Sequence, residues 1–317
     1  MAFGALYSNG ALVIHTTSEG AAVEIGNITN LSMPQGMELS APQSGTLYDY
    51  FRSIISEVPM VNVTTESIAQ ILDTIGAAAK CIVADGTHPG VVLYGEKHDE
   101  CDGRASGAVH NSYTIKKGLI VPMTLDATHG QNATISMDIH AVTDGTNDPL
   151  IPAYTATLPS SVVRDEIFGI GVCKVAGQQL DNVQSVSINF GISVLKKSGS
   201  GSTSPLWASP AKIKPVITIT TTDPTIVDDA KLSLDGTVAT HLNTVIQLRK
   251  RLCYGKYVAD ATAEHIAITA AGLVVIEQPH SASGESEASV TFRIEGVHDG
   301  TDVPLVIDTT SAYDATP

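Results

Sequence analysis

Basic residues are scarce in this 317-residue chain: 18 Lys and Arg stand against 33 Asp and Glu, for a net charge of −15. The imbalance is uneven, with 6 basic against 16 acidic residues over 1–158 and 12 against 17 over 159–317. A surface of that sign does not hold nucleic acid through its phosphates; it repels them. Charged residues are 16% of the chain and hydrophobic ones 43%, which excludes a disordered polyelectrolyte. No apolar run approaches the roughly 18–20 residues of a membrane-spanning helix, so no membrane span is expected. No basic residue precedes the apolar part of Met1 to His15, so a secretory signal is not expected either.

Cysteine is sparse. Cys81, Cys101, Cys173 and Cys253 include no C-x-x-C pair, and reduced thiols are the expectation. A zinc set of Cys81, His88, His98 and Cys101 fits no familiar ligand spacing. Asn27, Asn30, Asn62 and Asn132 open Asn-x-Ser/Thr triplets, which are chance matches without a secretory route. Catalytic signatures are missing: there is no Gly-x-Ser-x-Gly, no His-Glu-x-x-His and no phosphate loop ending in Lys-Ser/Thr. Gly169-Ile170-Gly171 is a fragment of a dinucleotide fingerprint without the rest. Asp144, Asn147 and Asp148 share one turn, and Asp299 and Asp302 share another; crowded oxygens in a Gly turn suit calcium. Asp-Gly is also the ordinary means of reversing a strand, and neither turn has a full ligand run. The loop Asp99-Glu100-Cys101-Asp102 is ambiguous in the same way. No catalytic, cofactor-binding or metal-binding residue is assigned, and an enzyme is not expected.

What the chain does contain is a repeat. Ile139 to Ile151 reads as an alternating segment, Asp-Gly-Thr, a proline and an aliphatic pair; Ile294 to Val306 reads the same way. Upstream, Ile28-Thr29-Asn30-Leu31-Ser32-Met33 lies opposite Val183-Gln184-Ser185-Val186-Ser187-Ile188, and Pro59 to Thr65 lies opposite Pro215 to Thr221. The offset is 155 residues at Ile28, 156 at Pro59, 154 at Gly118 and 155 at Asp144. Similar strands and turns recur by chance in any β protein, but a constant offset does not. Two tandem copies of one domain, 1–158 and 159–317, are expected. His110 and His265 fall near each other in this alignment, as do His140 and His298; buried or edge histidines account for that better than a shared site.

Thr, Val, Ile, Ser and Gly are plentiful and helix formers few, which favours sheets. The expected fold is mainly β: a sandwich or barrel of six to eight strands per copy, flanked by a helix. Ile68, Ile71, Leu72 and Ile75 give a helix over Ser67 to Lys80, with Thr64, Thr65 and Ser67 as caps. Tyr48, Phe51 and Ile55 give a short helix over Tyr48 to Glu57, whose counterpart around Pro205 to Lys212 should be irregular because of its prolines. A weaker helix starts at Thr222 or Asp223, with Pro224 in its first position, and a strand lies within Val238 to Leu252. Gly95 to Gly107 and Lys196 to Ser204 read as exposed loops, and Ala156 to Arg164 as the linker.

The opening strand pair with Asn30-Leu31-Ser32-Met33, the Gly-rich excursion after it, the strand Pro59 to Thr65 and the following helix resemble the tail tube proteins of tailed bacteriophages. The copy Val183 to Thr221 resembles them too. The resemblance covers both copies and lies in architecture and pattern, not in one motif. It implies a β-sandwich flanked by a helix, assembled into stacked rings of a tail tube that conducts DNA into the host. A tandem duplicate implies a homotrimer forming a pseudo-hexameric ring, with other tail proteins at the tube ends. It implies a virion protein made in the host cytoplasm, and an acidic lumen past which DNA slides without specific binding. The proline-rich second excursion departs from the pattern and puts identical contacts by both copies in doubt. Another virion part, such as a capsid decoration protein, a baseplate component or a fibrous shell subunit, also suits these features. So does a carbohydrate-binding or calcium-dependent adhesion module.

Overall fold

Period-two runs of Val, Ile and Thr set the architecture: 23 strands and one helix form among the described residues. The computed structural model describes residues 6–15, 22–40, 53–76, 81–85, 90–99, 103–164, 166–175, 177–199, 201–222, 242–252, 255–281, 288–298 and 303–314. The first half holds β1 (Leu6–His15), β2 (Ala22–Ile25), β3 (Ile28–Ser32), β4 (Met37–Ser40), β5 (Ser53–Glu57), β6 (Met60–Thr65), α1 (Ile68–Ile75), β7 (Ile82–Asp85), β8 (Val91–Asp99), β9 (Gly103–Arg104), β10 (His110–Ile115), β11 (Lys117–Thr128), β12 (Thr134–Val142) and β13 (Ile151–Ala156). The second holds β14 (Ile167–Val175), β15 (Gln178–Leu180), β16 (Val183–Asn189), β17 (Ile192–Ser198), β18 (Pro205–Ile213), β19 (Val216–Thr221), β20 (Leu242–Arg251), β21 (His265–Ser281), β22 (Ser289–Gly296) and β23 (Leu305–Ser311).

The fold is mainly β and its paired strands run antiparallel. A six-stranded sheet runs β13-β10-β8-β1-β2, with β9 on β8. A 13-stranded sheet runs β15-β14-β20-β21-β22-β19-β16-β11-β12-β6-β3, with β23 on β21 and β7 on β11. Two hairpins, β4–β5 and β17–β18, stand apart from both. One apolar core spans both large sheets, from Leu12, Ile14 and Leu93 through Val63 and Ile139 to Phe168 and Phe292.

The two halves lay down one pairing order. In the first, β2, β1, β8 and β10 pair in sequence; one residue after β10 the chain continues as β11, which leads to β12, β6 and β3. In the second, β15, β14, β20 and the long β21 lead to β22, β19 and β16. Even the bulges recur, with Thr29 skipped as Gln184 is, Met123 as Glu277, and Ile55 as Ala211. Ile28 and Val183 each open a strand, and Pro59 and Pro215 each stand just before one. Asn27 (φ 48) and Asn182 (φ 52) both adopt the left-handed conformation that Asn tolerates. The carbonyls of that pair accept the backbone N–H of Glu66 at 3.1 Å and of Thr222 at 3.3 Å. Gly118 and Gly272 face carbonyls across the ladder, where an added Cβ would lie 2.5 Å from the His140 oxygen and 2.2 Å from that of Glu295. Asp144 has its expected counterpart, Asp299, outside the described residues.

Several expectations are corrected. Ser53 to Glu57 is not helical but forms β5, paired with β4; residues 48–52 lie outside the described residues. Pro205 to Lys212 is not irregular but belongs to β18, paired with β17 from Ile192↔Ile213 to Ser198↔Pro205. A free two-stranded ribbon accepts proline because each strand has one edge that need not donate. The loop expected over Gly95 to Gly107 is largely the continuation of β8 and its return as β9, and Lys196–Ser198 belongs to β17. The count of strands, thirteen and ten, exceeds six to eight because both hairpins and several short edge strands are ordered. The helix expected from Thr222 or Asp223 lies outside the described residues from 223 onward.

Helix α1 has the expected apolar face but is shorter than the expected Ser67 to Lys80, running Ile68–Ile75; residues 77–80 lie outside the described residues. Ile68, Ile71, Leu72 and Ile75 are all buried, each contributing about 1.5–3 kcal/mol of apolar burial. The Thr65 hydroxyl accepts the Ser67 N–H at 3.0 Å and donates to the Gly26 carbonyl at 2.7 Å, which fixes the approach to the helix; none of the expected caps, Thr64, Thr65 or Ser67, makes a side-chain cap hydrogen bond to it. Gly76 (φ 72) ends the helix, its N–H bonding the Leu72 carbonyl.

Candidate assembly surface

Several of the residues considered from sequence have structural roles. The Asp144 carboxylate closes its own turn, accepting N–H groups from Thr146 at 2.8 Å and Asn147 at 2.7 Å and the Asn147 side-chain amide at 2.8 Å. Those donors hold its pKa down to about 2. Asp302 and, in the acidic loop, Glu100, Cys101 and Asp102 lie outside the described residues, as do His88 and Cys253. The Cys173 thiol is wholly buried, and desolvation pushes its pKa up to about 12. Burial also raises that of Cys81. His98 bonds the Ser8 hydroxyl at 2.6 Å. Gly169 and Gly171 sit inside β14, under the Arg251 guanidinium and the Tyr313 ring, where any side chain would clash.

His110 and His265 are both buried and play one part twice. Each Nδ1 accepts a backbone N–H, from Lys97 at 3.0 Å and from Lys250 at 3.1 Å. His140 and His298 do not match in environment: His140 is buried and His298 exposed. Burial first, and then the Lys196 ammonium, lower the His140 pKa to about 4.

The feature with functional reach is the seam between the halves. Residues 124–128 of β11 pair antiparallel with residues 185–189 of β16, in the register Thr124↔Asn189 to Thr128↔Ser185. The seam is extended at both ends, by the His129 N–H on the Gln184 carbonyl at 2.8 Å and the Phe190 N–H on the Met123 carbonyl at 3.0 Å. Leu125, Ala127, Val186 and Ile188 are fully buried there, and the Ser187 hydroxyl donates to Asp126 at 2.5 Å. Polar contacts flank the ladder. Lys250 bridges Glu166 at 2.9 Å and Glu264 at 2.8 Å; the Gln70 amide of α1 also donates to Glu166. Arg251 donates to Asn132 at 3.2 Å, and Thr309 donates to Asp73 of α1. The β17–β18 hairpin reaches back over the first half, where the Thr203 carbonyl accepts the Glu57 N–H and the Pro205 carbonyl accepts the Thr143 N–H, both at 2.9 Å.

The equivalent surfaces elsewhere are bare among the described residues. β3 corresponds to β16, and only β6 pairs with it. Leu31 and Met33 are half-buried, whereas their counterparts Val186 and Ile188 are fully buried under β11. Met37 is 52% exposed; its counterpart Ile192 is 6% exposed. Ile54 and Ile55 extend this apolar strip on β5, and Leu195, Leu206, Trp207 and Ile213 stand exposed on the second hairpin. In the sequence, Ser185 to Ile188 stood out only as repeat positions, and nothing marked them or residues 124–128 as a seam. No residue type marks a sheet edge as joined or open; the only signal was the repeat itself. No protein-family model matches the chain, and no curated protein matches it.

Proposed function

We propose that the chain is a structural subunit whose two halves are tandem copies of one domain and which assembles with further copies into rings. The rings stack into a tube of the tailed-phage type, through which DNA passes without specific binding. The observation that carries this reading is the seam: β11 of one half completes the sheet of the other through a different edge, β16. A contact between unlike patches on equivalent units is heterologous, and repetition closes it into a ring or runs it into a filament. Among the described residues the chain carries one such joint and leaves one unused patch of each kind. A ring also uses up sheet edges that otherwise invite aggregation. The net charge of −15 suits a conduit that phosphates must traverse without sticking. The role is structural, and no residue is assigned a catalytic or ligand-binding part in it. Three chains per ring follow from two domains per chain if six domains close the circle. Electron microscopy of the purified protein tests the reading. Annuli or hollow tubes of constant bore are expected; particles without a lumen would point to another virion part, and monomers at every concentration would end the assembly reading.

A further inference from the structure

Among the described residues, the seam's two halves each recur unfilled, one on β3 and one on β21. Corresponding to the seam strand of β11 is the end of β21, Gln278–Ser281, which follows the bulge at Glu277 as Thr124 follows the bulge at Met123. Among the described residues this segment pairs with β22 alone. Corresponding to β16 is β3, whose bulge at Thr29 repeats that at Gln184. We infer that the outer edge of β3 takes Gln278–Ser281 of a second copy of this chain as an antiparallel neighbour, in the place that β11 takes on β16.

Three observations carry the choice of partner. The internal seam demonstrates the geometry, and the bulges at Thr29 and Glu277 match those at Gln184 and Met123, with one further irregularity between Gln278 and Ser281 that β11 lacks. Natural edge strands are blunted by charge or proline, yet Ile28 to Met33 contains neither. The residues left half-covered on this edge, Leu31 and Met33, are those whose counterparts the seam buries. Pro279 lacks an N–H, so the new ladder has one donor fewer than the internal one. Met37, beside this edge, lies where a docked copy would cover it as Ile192 is covered.

The inference rests on the assembly reading, and disulfide trapping separates the two. Leu31→Cys is combined in turn with Gln278→Cys, Pro279→Cys, His280→Cys and Ser281→Cys. At least one pairing should give covalent dimers and trimers on non-reducing denaturing gels, and no single variant should. Ala127→Cys with Val186→Cys, opposite each other across the internal seam, should give an intramolecular bridge only. Hydrogen exchange on the unaltered protein removes dependence on any variant: amides of residues 29–33 should exchange ~10-fold or more slowly in assemblies than in monomers. Assemblies seen by microscopy with no ladder and unchanged exchange at 29–33 would overturn this joint and leave assembly standing. A protein that stays monomeric at every concentration would overturn both.

Discussion

At the residue scale, His265 has a duty that its side chain alone can meet. Its Nδ1 takes the Lys250 N–H at 3.1 Å, and its Nε2 lies 3.2 Å from the Ala259 carbonyl, to which it donates when Nδ1 is the acceptor. His265→Ala strands a buried N–H, which should cost about 1–3 kcal/mol in urea unfolding; an unchanged midpoint would mean that water replaces the ring. His140 supplies a pH dependence. Its pKa is lowered to about 4 by burial and Lys196, whereas an unfolded histidine titrates near ~6.5. The unfolded chain therefore binds the proton first as pH falls. The stability held by neutral His140 is full above about 6.5 and drains away as pH drops toward 4. Thermal melts should fall between pH 7 and 4.5, and His140→Gln should flatten that slope. An identical slope in the variant would remove His140 from the account. The pairing of His110 with His265 was legible as a repeat, but its physical content was not, because a ring nitrogen's partner lies 13 to 15 residues away around a hairpin.

At the scale of elements, the helix and the long strands were legible because their periods are clean. Ile68, Ile71, Leu72 and Ile75 repeat at helical spacing and all four are buried. Leu72→Ala should cost about 2–5 kcal/mol by chemical denaturation; since α1 also touches Glu166 through Gln70 and Thr309 through Asp73, its loss should loosen the seam as well. A cost near zero would mean that the helix collapses onto the vacancy. The β4–β5 hairpin was misread for a specific reason. The bulge places Ile55 between the paired residues Ile54 and Ser56, so alternation breaks, and Tyr48, Phe51 and Ile55 fall by accident at helix-like spacing. Prolines 205 and 210 misled in the opposite direction, since a two-stranded ribbon tolerates what a central strand does not.

At the scale of the whole molecule, the constant offset in the sequence has its counterpart in the matching pairing order of the two halves, whereas the seam could not be read, because an edge is defined only by what lies beside it. That seam sets the final expectation. Each chain carries a net charge of −15, so two chains repel at long range, while β3, the edge that would join them, has no charged residue. The repulsion is screened by salt and the ladder bonds are not: the screening length shortens from about 30 Å at 0.01 M to about 8 Å at 0.15 M ionic strength. Association should therefore strengthen as salt rises, which sedimentation velocity at fixed protein concentration can follow. A joint built on ion pairs would behave oppositely, since screening weakens opposite charges too. Assemblies that dissociate as salt is raised over this range would argue against a strand-to-strand joint and in favour of charged contacts between copies.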